Sequence, residues 1–308
     1  MAPMAKTDQA SAGTKGSTGG AVWVQSLRML TRRRIVVIGI GLVAGGLLVA
    51  VFAPLLTSHN PNELNIADRL RPPGRANLFG TDSFGRDVYS RVIYGARLSI
   101  LVGALSVAIA SIGGCIIGLI AGYYPRLDGI LMRIMDGIMA FPSIVLAIAL
   151  MASLGGSVLN VIISLGFVYM PRVARVVRSG VLVVRESLHV EAARALGARD
   201  YRILRLNILP NCLSPIIVQA TFVFAYAVLG EAALSFLGVG VPPYISSWGN
   251  ILSEGRQFIT QAPWITMFPG AAIMLTVLGL NVVGDGLRDA LDPRMRYIYG
   301  RMSDTTKV

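Results

Sequence analysis

Glu191-Ala192-Ala193-Arg194-Ala195-Leu196-Gly197, followed by Asn207-Ile208-Leu209-Pro210, is the stretch on which the reading of this chain turns. Ser187 is placed to cap a helix start, and Glu191 lies close enough to that start for the helix dipole to favour its charge. Leu188 to Leu196 is rich in helix formers, and Gly197 supplies a left-handed stop. A second short helix is expected, with Asp200 in its first turn, Tyr201, Leu204 and Ile208 near one face, and Pro210 as its end. Ser214-Pro215 then opens the next apolar run. Two stiff pieces joined at a glycine suit a plug that takes force from another protein. They also suit an amphipathic linker drawn to a lipid surface by its arginines. The residues alone leave both readings open.

The surroundings of this stretch are those of a membrane protein. Of 308 residues, 54% are hydrophobic and 14% charged, against about 25% charged in an ordinary soluble domain. The charges cluster, leaving long stretches almost without them. Helices of about 20 residues cross the hydrocarbon. Candidates are Ile35–Leu56, Leu98–Gly122, Ile130–Leu154, Val158–Val177, Pro215–Phe236 and Trp264–Gly284. The expected fold class is all-α, a polytopic membrane protein of six transmembrane helices with a cytoplasmic helix pair between the fourth and fifth.

The net charge of +12 is almost all arginine, with lysine at Lys6, Lys15 and Lys307 alone. Arg28 and Arg32 to Arg34, then Arg126 and Arg133, then the eight arginines from Arg172 to Arg205, and finally Arg288 to Lys307 fall on one side of the six-span scheme. By the positive-inside rule that side is cytoplasmic, which puts both termini inside. This accounts for the basicity without nucleic acid as a partner. The first outer loop, Thr57–Arg97, departs from the rule, with six arginines against Glu63, Asp68, Asp82 and Asp87.

The domain scheme is then a disordered tail over 1–20, an interfacial segment and first transmembrane helix over 21–56, an extracytoplasmic loop over 57–96, a five-helix core over 97–290 and a cytoplasmic tail over 291–308. Val22, Trp23, Leu27 and Leu30 share a helical face suited to the membrane interface, or extend the first span. Arg32 to Arg34 with the apolar run after it reads as an uncleaved span, because the run is too long for a signal peptide. Gly114, Gly118 and Gly122 share one helical face, and Gly41 and Gly45 another, each suited to close packing within the subunit or between subunits. Pro142, Pro171 and Pro269 interrupt spans, as kinks or beside a wet path. Cys115 and Cys212 fall in different environments, which suggests neither a disulfide nor a metal site.

Asp136, Glu231 and Asp285 are ionisable groups in or at the ends of apolar segments, and such groups are functional candidates. Asp136 and Asp285 lie where salt bridges to nearby arginines are expected. Glu231 and, more weakly, Asn281 and Gln219 are candidates for a substrate path. The outer loop, with Asp82 and Arg86, is expected to meet a delivery protein, as is the stretch from Trp248 to Phe258. No P-loop is present, since Gly13-Thr14-Lys15-Gly16-Ser17 has the wrong spacing. A hydrolase is excluded because His59 and His189 both lie in loops. A proton-coupled transporter remains as the alternative class, and would be expected to show inverted repeats.

The Glu191 stretch resembles the EAA motif of binding-protein-dependent ABC importers, matching at Glu191, Ala192, Ala193, Gly197, Leu209 and Pro210 and departing at Asn207. Phe79 to Asp87, Gly95 to Ser99, Glu231 to Gly238, Ser247-Trp248-Gly249 and Gly284 to Arg294 resemble, in order, the second permease subunit of the dipeptide/oligopeptide/nickel subfamily. The resemblance implies a type I importer permease fold in a bacterial inner membrane. It implies a homologous permease as pore partner, two ATP-binding subunits below and an extracytoplasmic binding protein above. It further implies no cofactor on this chain, with ATP and Mg held by the ATPase partners. The residues expected to meet the ATPase are Glu191, Ala192, Ala193, Leu196, Gly197, Tyr201, Leu209 and Pro210. The cargo it implies is di- or oligopeptides, or else nickel, haem or glutathione.

Overall fold

A run of apolar residues long enough to cross a bilayer must satisfy its own backbone, and helix is the way a single segment does so. The computed structural model describes residues 34–291, and among these the chain is helical apart from its loops, with one isolated bridge between Thr81 and Asp87. The two tails, with the expected interfacial face around Trp23 and the terminal arginines, lie outside the described residues.

The helices are α1 (Arg34–Val51), a short α2 (Ala53–Leu56), α3 (Val88–Tyr123), α4 (Pro125–Met139), α5 (Ser143–Leu154), α6 (Val158–Val184), α7 (Leu188–Ala195), α8 (Asp200–Ile203), α9 (Leu209–Phe236), α10 (Trp248–Gly255) and α11 (Trp264–Leu291). Five helices are long and apolar enough to cross a membrane, and the bent pair α4–α5 makes up to six. α3 begins at Val88 rather than at Leu98 because Asp87 caps it, accepting the Ser90 N–H at 2.8 Å.

α3 and α6 form the centre of the molecule. A Cβ on Gly114 would lie 2.7 Å from Val173, one on Gly118 2.5 Å from the Ala174 carbonyl, and one on Gly122 2.6 Å from Val181. The glycine face of α3 therefore serves packing inside this subunit. Gly41 and Gly45 on α1 meet nothing within 4 Å. Val161, Leu165, Val168, Val173, Val177 and Val181 of α6 are buried in the main core, together with Val223 and Ala227 of α9. A second cluster gathers Val88, Val92, Trp248, Ile251 and Ile265 at one end of the bundle.

Two expected elements are corrected. The third span, read as Ile130–Leu154, is broken: α4 and α5 meet at 89° across residues 140–142. Pro142 has no N–H to continue a helix and pushes Phe141 away from helical geometry. The helix expected to stop at Pro210 instead runs on, from Asp200 to Phe236. Leu204–Ile208 widens into a π turn, in which the Leu209 N–H donates to the Leu204 carbonyl. The wider turn accommodates the missing donor and the ring of Pro210 without ending the helix.

Candidate functional site

The Glu191 stretch folds as its residue types dictate, with one exception. α7 starts after Ser187, yet the Ser187 hydroxyl donates back to the Val184 carbonyl and makes no cap, which corrects its expected role. The end of α7 is a Schellman turn. Ala198 N–H reaches the Ala193 carbonyl at 3.0 Å, Gly197 N–H reaches that of Arg194 at 2.9 Å, and Gly197 has φ +75°. α8 follows at once, so the chain reverses on a single left-handed residue.

One side of this unit is tied down. Val190, Ile203 and Ile208 are fully buried in the main core. Asp200 accepts from the Tyr123 hydroxyl at 2.8 Å and the Tyr124 hydroxyl at 3.1 Å, both at the end of α3. Arg194 lies over the Tyr123 ring at 5.2 Å. Arg185 donates to the Gly122 carbonyl at 2.9 Å. The other side is bare. Leu188 is 84% exposed, Leu196 88% and Tyr201 70%. Glu191, Ala192, Gly197 and Pro210 are exposed as well, while Ala193 and Leu209 are partly buried. Large apolar side chains this open, on a unit fixed from behind, present a shaped apolar surface. Sequence reading found the surface residues. It missed the clamp at Tyr123, Tyr124 and Asp200, for which the signal was two tyrosines at the end of a span followed by Pro125.

At the opposite end of the bundle the expected contact residues turn inward. Asp82 is fully buried, with Arg86 and Trp248 nearly so. Arg86 Nε donates to Asp82 Oδ2 at 2.7 Å, and its guanidinium also holds Glu254. Arg91, itself 1% exposed, donates to Asp82 at 2.7 Å and to both oxygens of Glu254 at 2.6 and 3.0 Å. Trp248 Nε1 donates to the Val92 carbonyl at 3.0 Å. These side chains join the long loop, α3 and α10 into one cap. Asp82, Arg86 and Trp248, expected to meet a delivery protein, have their side chains engaged within this cap. Arg91 and Glu254 were not singled out from sequence, because their pairing joins segments far apart in the chain.

Glu231 is also inside. It is fully buried in α9 and accepts from Ser99 at 2.8 Å and Ser235 at 2.9 Å. Its carboxylate joins α3 to α9 through these two hydroxyls, and Asn281 lies partly buried in α11. Asp136 pairs with Arg175 at 2.7 Å, as expected, and Asp128 pairs with Arg178 at 2.6 Å. Both pairs tie α4 to α6. The described residues hold no cluster of metal-ligating side chains.

The described chain is thus a helical bundle of membrane-spanning length, with one bent helix pair and a braced, partly exposed helix pair between two long helices. Residues 114–297 match the family described as binding-protein-dependent transport system inner membrane component, and residues 22–73 match the N-terminal TM domain of oligopeptide transport permease C. The chain belongs to this family, and is a multi-pass inner membrane permease subunit of an ABC importer. It is 50% identical over 273 residues to a putative peptide transport system permease protein of Brucella suis, covering 89% of this chain and 92% of that one. It is 48% identical over 280 residues to the dipeptide transport system permease protein DppC of Alkalihalophilus pseudofirmus, covering 91% and 92%. A glutathione transport system permease protein of Pectobacterium atrosepticum is 39% identical over 276 residues, covering 89% and 92%. The proton-coupled reading gives way to this membership, which implies in general a partner permease, ATPase subunits and a binding protein.

Proposed function

We propose that this chain forms one half of the pore of an ATP-driven peptide importer, paired with a homologous permease and moved by two ATP-binding subunits docked on α7 and α8. Its cargo arrives from an extracytoplasmic binding protein that meets the cap built on Asp82, Arg86, Arg91 and Glu254. In this reading both termini and the Gly197 end face the cytoplasm, in keeping with the arginine distribution. ATP and Mg belong to the partners, and this chain supplies the path and the plug. Peptide cargo is supported by the names of the relatives at 50% and 48% identity. Of the other cargoes, glutathione is supported only by the relative at 39%, and it is itself a peptide.

The observation that carries the proposal is the bracing of the plug. Val190, Ile203, Ile208 and Asp200 fix it to the bundle while Leu188, Leu196 and Tyr201 stay open. A push on the open face then reaches α3 and α9 directly, which is what rocking a pore between two states requires. Gly197→Val tests it. A Cβ there meets nothing within 4 Å, so the substitution acts through the left-handed backbone, disfavoured by about 1–2 kcal/mol for a side-chain-bearing residue. The complex is expected to assemble while loaded binding protein no longer stimulates ATP hydrolysis. Unchanged transport and stimulation would count against the plug.

A further inference from the structure

Three arginines follow at three-residue spacing on α6, and two of them have carboxylate partners on α4: Arg175 with Asp136 and Arg178 with Asp128. Arg172 has none among the described residues. Its guanidinium instead lies 4.7 Å from the ring centroid of Tyr226 on α9 and 5.5 Å from that of Tyr169 on its own helix. Its Nη2 reaches the Ser143 hydroxyl at the start of α5 at 3.4 Å, leaving its other donors without a described partner. The cradle is itself fixed, since the Tyr169 hydroxyl donates to the Tyr226 carbonyl at 3.1 Å. Tyr226 is 46% exposed, so the cradle opens on one side.

Arg172 lies about 21 Å along α6 from Val158 at 1.5 Å per residue, within the span read as Val158–Val177 but toward the end read as cytoplasmic, where the roughly 30 Å of hydrocarbon gives way to the arginine-rich side. A cation there without a counter-ion is costly and marks a path or a pair. Just before it, Pro171 offers no N–H to the Phe167 carbonyl, which is how polar backbone comes to line a wet cavity. A path site must hold its cargo weakly enough to let go. A guanidinium held face-on by two rings keeps its N–H edge for a passing carboxylate and returns to the rings when the carboxylate leaves.

We propose that Arg172, cradled by Tyr169 and Tyr226, is a station in the translocation path that takes the C-terminal carboxylate of the transported peptide. The proposal rests on the peptide-importer reading above. A carboxylate of the partner permease offers the same chemistry, and the experiment separates the two sources.

The complete complex, with both permeases, the ATPases and the binding protein, is reconstituted in liposomes. Uptake is followed for one peptide with a free C-terminal carboxylate and for its C-terminal amide, each delivered by binding protein loaded to saturation. Arg172→Gln is expected to slow uptake of the free acid about tenfold, the size of one lost charge-assisted hydrogen bond, and to leave uptake of the amide and ATP hydrolysis unchanged. Tyr226→Leu, which loosens the cradle and keeps the charge, is expected to shift the acid-to-amide ratio the same way by a smaller factor. An equal loss for both peptides, or a complex that no longer assembles with Arg172→Gln while Tyr226→Leu leaves the ratio unchanged, would assign Arg172 to a partner carboxylate and overturn the proposal. No change for either peptide would overturn it too. A wild-type complex that imports neither peptide would instead remove the peptide reading, and this inference with it.

Discussion

Glu254 holds more of the molecule together than its place near the end of the short helix α10 suggests. Its carboxylate takes hydrogen bonds from Arg91 and Arg86, and Arg91 is almost wholly buried. Removing Glu254 leaves Arg86 and Arg91 to share Asp82 alone, at a cost of at most about 3–5 kcal/mol, the figure for a broken buried pair, since Glu254 is itself partly exposed. Glu254→Ala is therefore expected to lower the melting temperature of the purified complex markedly, and thermal unfolding with and without the substitution measures it. A melting point unchanged by the substitution would show that the cap does not depend on this network. Glycines make a matched comparison at the same scale. A Cβ on Gly85, at φ +73°, would lie 1.7 Å from the Asn65 carbonyl oxygen, whereas one on Gly197 meets nothing. Gly85→Ala is expected to open the long loop to limited proteolysis, while Gly197→Ala spares the fold. The turn chemistry of Gly80 to Asp87 was legible in the sequence, because glycine and aspartate in that pattern mark an ordered loop. The Arg91–Glu254 pairing was not, since nothing local links residues that meet only when α10 folds back on α3.

At the scale of elements, the α3–α6 contact is set by three glycines one turn apart. Gly118→Val would drive a branched side chain into the Ala174 carbonyl and Val177. With no space to relax, the expected outcome is a loss of folded complex, read by size-exclusion of the detergent-purified assembly. The same substitution at Gly41, where nothing lies within 4 Å, is expected to be tolerated inside this subunit. The plug depends on Tyr123 and Tyr124 for its bracing. Replacing both by Phe keeps the rings and removes the hydroxyls that hold Asp200, and amide exchange over 188–200 is expected to quicken relative to the spans. Equal protection in both proteins would place the bracing elsewhere. The two-helix shape and the glycine stop of the plug were readable, because Schellman geometry follows from local sequence. The failed Ser187 cap and the π turn before Pro210 were not. In both places a local rule was overridden: by the Val184 carbonyl in one case, and in the other by a helix that stays intact by widening.

For the whole molecule, hydrophobic runs located the crossings and arginine counting gave them a consistent order. Tyr123 and Tyr124 meet Asp200 at one end, and Gly156 lies near Gly240 at the other, as alternating crossings require. The third crossing reads as a straight span in the sequence because α4 and α5 taken together are apolar enough to pass for one. The break at Pro142 leaves α4 held to α6 by Asp128 and Asp136, which pair with Arg178 and Arg175.

The uninterrupted helix from Asp200 to Phe236 has a mechanical consequence. Its 37 residues make a rod of about 55 Å at 1.5 Å per residue. One end carries the tyrosine clamp of the plug and the other carries Glu231 at the cap. Such a rod is a lever without a joint: tilt imposed at one end is delivered at the other as displacement, with no relay of small side-chain shifts between them. Spin labels near Tyr201 and Leu229 are then expected to keep one separation through the ATP cycle while both move against α1. A separation that changes with nucleotide would reveal a pivot at Pro215, and with it a device that bends rather than one that swings.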